Sequence, residues 1–482
     1  MLLYEPVIGI ELHAELLTRS KMFCGCRVVD SVTAAPNTAV CPVCLGMPGM
    51  LPVINRRAVD FAIRVALALN CTIQPHNVFA RKNYFYPDLP KAYQISQYEL
   101  PIGTGGHVSI TLPDGRSKRI GIRRVHMEED TGKLTHLEGG GSLVDYNRSG
   151  VPLLEIVSEP DIRTGEEARA YGLKIRQILR YLGVNSGDME KGVLRVEPNI
   201  SLRPPGSTAF GKRTELKNLN SFKALADGTE YEIARQAQVL DGGGQVVQET
   251  RGWHDTKRIT FSQRSKEEAE DYRYFPEPDL PPLHVSPEWI AAARAALPEL
   301  PDAKLARYQA DFGLPLYDAQ VLTEERAVAE WFETAVSANG DPKTLANWII
   351  NALFQIMNEH KLTIDALPLT PAALVELLAL VANDTINSST ARTVLNEMVA
   401  TGQSAADIVA ARGLAQISDV AALTHLIRQV LADNPDQVQA YLAGKEKLIG
   451  FFVGQVMRAT RGQANPALVN DLLAQQLADR DP

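Results

Sequence analysis

Carboxylate and imidazole side chains share one face of the segment VIGIELHAEL, residues 7–16. If this segment is a strand, its side chains alternate between two faces, so Glu11, His13 and Glu15 lie together opposite an apolar row. Such a face is either the solvated side of a half-buried sheet or a functional surface. Taken alone, the segment favours the solvated side, because antiparallel sheets commonly present one polar face to water.

Other segments repeat this pattern with one central acid each. Glu128 lies in RRVHMEED, Glu197 in VLRVEPNISL and Glu215 in KRTELKN, each on a face shared with His, Arg, Lys or Asn. Glu155 differs because it lies in the nearly unbroken apolar run GVPLLEIVSEP, where a carboxylate is costly to bury unless it is paired or binds a cation. Together with the first segment, these strands would form a basin for hard cations and phosphates, which suggests ATP chemistry without a P-loop motif.

Four of the five cysteines are clustered, as FCGC at Cys24 and Cys26 and CPVC at Cys41 and Cys44. In a cytoplasmic chain such clustering favours a metal over disulfides, because the thiols stay reduced and four thiolates suit tetrahedral zinc. The first pair is C-x-C rather than C-x-x-C, so four ordinary reduced thiols are the alternative. A zinc site with four cysteine ligands would be structural, since it has no open coordination position.

The elements that position these residues must belong to a globular chain. It has 482 residues, of which 45% are hydrophobic, and this length predicts two to four domains. No apolar run of about 18 residues occurs and the start MLLYEPVIGI lacks the features of a secretory signal, so a soluble cytoplasmic protein is expected. The net charge of −8 argues against wholesale coating of nucleic acid but leaves room for a local basic patch.

The hydrophobic pattern changes along the chain. Residues 1–288 contain short alternating segments broken by Gly, Pro, Asn and Asp, which predicts a strand-rich domain with an antiparallel sheet and some helices. Its end, the proline-rich stretch 275–289, is predicted to be a linker. Apolar residues then recur at three- and four-residue spacing, which predicts two helical domains, 289–405 and 406–482, and an α+β fold overall.

Two further segments are dense in side chains that often bind ligands. KNYFYPDLPKAYQISQYELPI, residues 82–102, contains Lys82, Tyr84 and Lys91, and SLVDYNRSG contains Arg148. Loops that present such side chains on a rigid sheet often form binding sites. An ordinary polar surface loop is the alternative for both.

Long motifs in a fixed order resemble one known family, the B subunits of glutamyl/aspartyl-tRNA amidotransferases. The resemblance covers the full length, and the end from GLAQISD onward is similar to that family's C-terminal tail domain. The motifs that carry it are KNYFYPDLPKAYQISQYELPI, HMEEDTGKL, SLVDYNRSGVPLLEIVSEPDI, RTELKNLNSF, QETRGW and RSKEEAEDYRYFPEPDLPPL.

The resemblance implies an enzyme that uses ATP and magnesium to phosphorylate the side-chain carboxylate of glutamate or aspartate esterified to tRNA(Gln) or tRNA(Asn). Ammonia then displaces the phosphate, so one difficult step is split into two easier ones. The ammonia would come from glutamine hydrolysed by an A subunit, an amidase with a Ser-Ser-Lys centre, and a small C subunit would complete a heterotrimer. The first domain would resemble the catalytic core of glutamine synthetase.

The resemblance also assigns roles to residues of this sequence. Glu11 and His13 would be magnesium ligands on the first strand, with Glu128, Glu155 and Glu197 as further acids around the metal. Where members of the family usually read CDAN, this chain has VEPN, so Glu197 replaces an aspartate with a longer side chain.

The remaining assignments fall into four sets. Ammonia would reach the acceptor past Lys82, Tyr84, Lys91 and Glu128. The nucleotide or acceptor would contact Arg148, Glu215, Lys217 and Asn218. Structural zinc would be bound by Cys24, Cys26, Cys41 and Cys44. The tail would hold the tRNA elbow by shape and phosphate contacts through Lys445, Lys447, Arg458 and Arg461, although a plain amphipathic helix would have the same pattern.

Two other functions are compatible with parts of the sequence. A free-standing ligase like glutamine synthetase would act on a small amino acid, but the two C-terminal helical units count against it. A zinc-bearing RNA adaptor without chemistry would leave Glu155 in its apolar run unexplained. Whether glutamate, aspartate or both are used depends on the synthetases present in the cell.

Overall fold

The computed structural model describes residues 4–265, 272–417, 419–460 and 462–478. The chain divides into two compact units, Met1–Pro301 and Asp302–Pro482. The first unit contains the strands β1 (Glu5–Glu15), β2 (Thr72–Ile73), β3 (His76–Asn77), β4 (Phe79–Asn83), β5 (Tyr93–Gln97), β6 (Gly103–Thr111), β7 (Ser117–Glu129), β8 (Lys133–His136), β9 (Ser142–Asp145), β10 (Pro152–Ser158), β11 (Leu194–Arg203), β12 (Thr214–Lys217), β13 (Glu249–His254), β14 (Ile259–Ser265), β15 (Phe275–Pro276) and β16 (Leu283–His284). Its helices are α1 (Arg56–Ala68), α2 (Gly165–Tyr181), α3 (Phe222–Asp241) and α4 (Pro287–Ala295).

A nine-stranded sheet forms the centre of the first unit, in the order β14-β13-β12-β11-β1-β10-β7-β6-β2. Neighbouring strands are antiparallel except β12 and β13, which are parallel. The sheet is therefore mixed where an antiparallel one was predicted, because α3 carries the chain back between those two strands as a crossover connection. The predicted α+β class is confirmed.

Helices α1, α2 and α3 of the first unit pack on one face of this sheet. Ile8, Ile10 and Leu12 of β1 are completely buried and belong to one apolar core with Tyr171 of α2 and Leu225 of α3. Burial of each aliphatic side chain contributes roughly 1.5–3 kcal/mol, so the apolar row fixes which face of β1 points inward. Because side chains alternate, the row of Glu11 and its neighbours must occupy the opposite face.

The proline-rich stretch predicted as a linker is instead part of the first unit. Strand β15 pairs with β4 and β16 pairs with β3, and Val285 is buried in the core. Two-residue edge strands tolerate the prolines that a central strand would exclude. Helix α4 also packs on this core through Ala293, so the boundary between the compact units lies at Pro301, beyond the predicted domain end at 288.

The second unit consists of helices in its described part, as predicted. They are α5 (Pro301–Phe312), α6 (Leu316–Leu322), α7 (Arg326–Ser337), α8 (Pro342–Trp348), α9 (Phe354–His360), α10 (Pro371–Ala382), α11 (Ser388–Thr401), α12 (Ala405–Arg412), α13 (Val420–Asp433), α14 (Pro435–Leu442), α15 (Ile449–Ala459) and α16 (Pro466–Ala478). A π-helical turn, Ile349–Leu353, joins α8 to α9.

Two apolar cores lie within the second unit. One extends from Tyr308 to Val409 and the other from Leu423 to Leu477. Helix α12 packs in the first of these cores through Ile408, so it lies with the preceding helices rather than with the predicted tail of 406–482. The division into three domains stays a prediction. Among the described residues, none of the helices has the length and apolar character needed to span a bilayer.

We expect the pair Arg81 and Glu277 to hold the stretch 272–285 against β4. The guanidinium donates to both carboxylate oxygens, at 2.7 and 2.8 Å, and the Glu277 side chain is completely buried. Arg81→Leu would leave a buried, unpaired carboxylate and should lower the free energy of opening this segment by about 3 kcal/mol. Native-state hydrogen exchange of the Glu277 amide, which donates to the Phe79 carbonyl, measures this change.

The matched control is Arg116→Leu, because Arg116 pairs with Asp114 in an exposed turn. Exposed pairs contribute at most about 1 kcal/mol, so protection of the 272–285 segment should not change in this variant. If the Glu277 amide is equally protected from exchange in Arg81→Leu and Arg116→Leu, the Arg81–Glu277 pair does not hold the segment.

Candidate active site

Five acidic side chains lie on five neighbouring strands of the central sheet. In sheet order they are Glu215 on β12, Glu197 on β11, Glu11 on β1, Glu155 on β10 and Glu128 on β7. The strand register places Glu11 opposite Glu197. The face that the helices leave uncovered therefore carries a continuous acidic row, and it is not the ordinary solvated face that the first segment alone suggested.

The first group in this row consists of His13, Glu128 and Glu155, each of which offers one ligand atom within 4.8 Å of the others. His13 Nε2 lies 3.7 Å from Glu128 and 3.6 Å from Glu155. A second imidazole, His126, lies 2.9 Å from Glu155. Glu128 is 2% exposed and Glu155 is 6% exposed, so two carboxylates are buried beside two imidazoles.

These neighbours change the pKa values of the first group. Burial raises the pKa of Glu155, but the charge and hydrogen bond of His126, together with His13, outweigh burial and hold it well below the usual range. Burial lowers the pKa of His13, but its hydrogen bond to Glu155 and the surrounding carboxylates raise it to about 9. The group thus holds a proton on His13 at neutral pH and has the donor set of a cation site.

The second group consists of Glu11, Glu197 and Glu215, with ligand atoms again within 4.8 Å of one another. Glu11 was predicted to share a metal with His13, but it lies with Glu197 and Glu215, because residues 11 and 13 face different neighbours along the strand. The longer side chain of Glu197 still reaches this group. Burial, and then the charges of Glu155 and Glu215, raise the pKa of Glu11.

Hydrogen-bond donors surround the second group. Lys217 Nζ lies 3.1 Å from Glu197 and 3.4 Å from Glu215. Thr250 Oγ1 donates to Glu215 at 2.8 Å. Asn199, on the same face of β11, donates to Glu11 at 3.3 Å. The site therefore combines carboxylates with one ammonium group.

A cavity of about 430 Å³ adjoins the second group. Glu11 lies in its wall, together with Arg124, Arg213, Tyr98 and Phe210. Tyr98 stacks on Tyr274 with 4.2 Å between ring centroids, which holds its ring in place. The volume is within the usual range for small-molecule sites, and arginines and aromatic rings suit the phosphates and base of a nucleotide.

Of the residues predicted for ammonia transfer, Lys82, Tyr84 and Lys91 lie in or beside β4 and β5, and Glu128 lies on β7. Lys91 Nζ lies 2.5 Å from Glu129. The Gln94 amide donates to the Glu129 carbonyl at 2.5 Å and accepts from the Tyr84 hydroxyl at 3.4 Å. Ser96, next on the same face of β5, donates to Glu128 at 3.1 Å. We call Lys91, Glu129, Gln94, Tyr84, Ser96 and Glu128 the polar line.

Lys82 lies between the polar line and the first group. Its ammonium is 5.0 Å from the ring centroid of Tyr272 and 5.9 Å from that of Tyr84. Burial lowers the pKa of Lys82, but Glu128 and other neighbours outweigh burial and raise it. Lys82 is therefore a cation held beside the acids by aromatic rings.

The other two predicted contact residues are Arg148 and Asn218. Arg148 donates to the carbonyls of Thr131 and Gly132, at 3.0 and 2.8 Å, and lies 3.6 Å from Asp130. Asn218 is exposed and has a φ of 64°, a left-handed conformation that Asn tolerates, directly after β12. Neither residue belongs to the two acidic groups.

The four clustered cysteines meet as predicted, with their sulfur atoms within 4.8 Å of one another. A hydrogen bond with Cys24 lowers the pKa of Cys44 to about 4, and Lys21, 3.5 Å from its sulfur, adds to this shift. Four sulfurs bound to one zinc ion at about 2.3 Å would stand about 3.8 Å apart, so a small contraction of this cluster would suffice. The geometry fits zinc, and Cys71 is buried elsewhere in the core.

Sequence reasoning did not assign several residues around these groups. The period-two pattern placed His126 and Arg195 on the same faces as the predicted acids, but it assigned no role to either residue. Arg195 donates to buried Asp130 at 2.8 Å, beside Glu15. Burial and Asp130 raise the pKa of Glu15 to about 8. Phe210 lies in a loop without periodicity, and no sequence signal predicted its place in the cavity.

Lys445, Lys447 and Arg458 of the predicted tRNA-binding tail are exposed around α15. Arg461 lies outside the described residues. The assignment of these four cations to tRNA contact stays a prediction.

Two family models match the chain. Residues 6–291, which contain both acidic groups and the cysteine cluster, match the GatB/GatE catalytic domain. Residues 330–477 match the GatB domain.

Full-length relatives agree with these models. The chain is 55% identical over 477 residues to the B subunit of the aspartyl/glutamyl-tRNA(Asn/Gln) amidotransferase of Myxococcus xanthus, covering 99% of both chains. It is 54% identical to the B subunits of the same name from Thermodesulfovibrio yellowstonii, covering 98% of both chains, and Moorella thermoacetica, covering 98% of this chain and 100% of the relative. The chain therefore belongs to the family of aspartyl/glutamyl-tRNA amidotransferase B subunits.

Proposed function

We propose that this chain catalyses the ATP-dependent amidation of Glu-tRNA(Gln), Asp-tRNA(Asn) or both, giving Gln-tRNA(Gln) and Asn-tRNA(Asn). The observation that carries this proposal is the acidic row, in which five carboxylates on five neighbouring strands form two adjacent groups beside an arginine-lined cavity. Membership of the B-subunit family supports the choice of substrate and reaction.

The chemistry needs an activated carboxylate. The side-chain carboxylate of the aminoacyl group attacks the γ-phosphorus of ATP, the bond to the bridging oxygen breaks, and ADP leaves. Ammonia then adds to the carbonyl carbon of the acyl phosphate, phosphate leaves, and the nitrogen loses a proton. Arg124 and Arg213 face the cavity where the nucleotide phosphates would lie, so they suit the charge that moves during the first step.

The two groups fit divalent cations. Carboxylate oxygens are the ligands that magnesium prefers. The buried Nδ1 atom of His13 has no hydrogen-bond partner among the described residues, so no second hydrogen bond fixes the orientation of the ring. The first group would hold one ion and the second group another. When bound, magnesium would neutralise phosphate charge and orient the phosphates. Glu215, expected at the nucleotide, would thus act as a ligand.

The polar line is the proposed route for ammonia. It extends from Lys91 and Glu129 along β5 to Ser96 and Glu128, and Glu128 belongs to the first group. Glu128 lies where an amine arriving along this line would meet the activated carboxylate, so its carboxylate is placed to accept the proton that the nitrogen loses. Lys82 would help to hold the acyl phosphate by its charge.

Partners follow from the same proposal. The relatives are named as B subunits, which supports assembly with an A subunit that hydrolyses glutamine and with a C subunit, as a cytoplasmic heterotrimer. The exposed cations around α15 would contact the tRNA backbone. A docking subunit without chemistry leaves the buried row unexplained, and a free-standing ligase leaves the match of residues 330–477 unexplained.

The first test measures amidation directly. The chain is combined with its A and C partners, ATP, magnesium and ammonium chloride, which bypasses the amidase, and the amino acid on Glu-tRNA(Gln) and Asp-tRNA(Asn) is identified. We expect conversion to glutamine or asparagine, and Glu11→Gln or Glu155→Gln should lower its rate by about 100-fold or more, because each removes one charge that holds a cation at the phosphates.

Asp114→Asn is the control, since Asp114 is an exposed acid in the turn between β6 and β7. It should retain the full rate. Full activity of both site variants, or tRNA binding without any amidation by the unmodified chain, would contradict the proposal and favour a docking subunit.

Binding of a divalent ion should depend on pH through His13. Its pKa of about 9 means that the ring is protonated at neutral pH, and a protonated imidazole cannot be a metal ligand. Ion binding to the first group should therefore release a proton, and affinity should rise by up to about tenfold per pH unit between pH 7 and pH 9. Titration calorimetry in two buffers of different ionisation enthalpy counts the protons.

His13→Asn should abolish this proton release, whereas Glu11→Gln, in the other group, should keep it. An ion that binds the unmodified chain with no pH dependence above pH 7 would show that His13 is not a ligand.

The cysteine cluster is proposed to hold one structural zinc ion. We expect elemental analysis to find one zinc per chain and Cys41→Ser to lose it, because a site with three thiolates binds the ion more weakly. Cys71→Ser should retain zinc, since Cys71 is a separate buried thiol. Absence of zinc from the unmodified chain, purified without chelators, would support four ordinary thiols.

A further inference from the structure

Lys217 already occupies the second acidic group as a cation. It is the last residue of β12, and its ammonium lies 3.1 Å from Glu197 Oε2 and 3.4 Å from Glu215 Oε1. Its side chain is 39% exposed, whereas that of Glu197 is 14% exposed, so the lysine is the more open member of this ion pair. One of the three negative charges that the group can carry is therefore compensated by the chain itself.

The first group is compensated differently. Among the described residues, the ion-pair partners of Glu128 and Glu155 are the imidazoles His13 and His126. Imidazole has a lone pair that can itself bind a metal ion. A lysine ammonium has three donors and no acceptor, so it competes with a metal ion for the same carboxylate oxygens. A divalent ion can enter the second group only if the ammonium moves away and finds other acceptors.

Nucleotide phosphates would provide those acceptors. The cavity that adjoins Glu11 is where the proposed function places ATP, and the lysine has a flexible four-carbon side chain. Phosphate oxygens would accept hydrogen bonds from the displaced ammonium and complete the coordination of the ion, because magnesium is usually held by one or two carboxylates together with substrate phosphates.

We propose that Lys217 is the resident counter-cation of the second group and makes this group accept a divalent ion only together with the nucleotide. This inference rests on the proposed function. Lys217 is then a positioning residue that couples two ligands, and the ion and the nucleotide must raise each other's affinity by the same factor. Without its ammonium, the second group would bind an ion whether or not nucleotide is present.

The experiment counts bound Mn²⁺ by electron paramagnetic resonance on the chain assembled with its A and C partners. Manganese prefers oxygen and nitrogen ligands, so the thiolate cluster does not compete for it. We expect the unmodified complex to bind one ion without nucleotide and two with a non-hydrolysable ATP analogue, after subtraction of the ions that the analogue binds alone. Lys217→Met should bind two ions without nucleotide, with the second bound roughly tenfold more tightly than in the unmodified complex.

Lys217→Arg keeps the charge and should behave like the unmodified complex in the absence of nucleotide. A merely structural role for Lys217 would lower ion binding in the Met variant, so a gain of binding is specific to the proposal. Thermal unfolding of each variant confirms that it is folded, and the count on the unmodified complex does not depend on the variants.

Three results would overturn the inference. They are two ions bound equally tightly without nucleotide in the unmodified complex, no gain of binding in Lys217→Met, and a gain of equal size in Lys217→Arg. If these occur while ammonium-dependent amidation is intact, the proposed function still stands. If no ion binds with or without nucleotide and amidation is absent, the proposed function fails together with the inference.

Discussion

Mutual repulsion among buried carboxylates is the constraint on which this structure depends. The free energy of ionising an acid rises when it is buried and rises again beside another acid, and the sheet brings five acids into neighbouring positions. The chain meets this constraint with imidazole and ammonium groups placed between the acids. His13 and His126 lie beside Glu155, and Lys217 lies between Glu197 and Glu215. The stability of the chain without ligand and its affinity for cations thus have the same origin, the repulsion among the carboxylates. Each compensating side chain occupies a position that a bound ion could also occupy.

The opposite face of the sheet makes this arrangement rigid. Helices α1, α2 and α3 cover the apolar rows of the central strands, and a shift of one residue in any strand would bury its acids in that core. Apolar packing therefore determines the register, and the register determines that Glu11 faces Glu197 while His13 faces Glu155. The division into two groups is a consequence of pairing across the sheet. It does not require a loop to hold any of the five acids.

Period-two alternation was sufficient to predict the faces of the acidic residues and the strand-rich character of the first unit. It could not predict which strands are neighbours, so it could not predict that the acids divide into two groups, with Glu11 beside Glu197 and Glu215. The prolines of residues 275–289 indicated a linker because their local effect is the loss of backbone donors, whereas the buried pair of Arg81 and Glu277 is a contact between distant segments. The place of Phe210 in the cavity could not be predicted for the same reason, because the cavity is formed by several strands.

The central position of β1 in the sheet has a consequence for biosynthesis. Its two neighbours are β10 and β11, so β1 leaves the ribosome well before residues 152–158 and 194–203, with which it pairs. At about 5–20 residues per second, synthesis of the chain between β1 and β10 takes roughly 7–27 s, during which both edges of β1 lack their final partners. Loop closure over this separation also makes the pairing slow. The nascent chain thus carries an apolar, β-branched segment that needs shielding from aggregation. The first acidic group is incomplete until Glu155 on β10 has emerged, and the second until Glu215 on β12 has emerged.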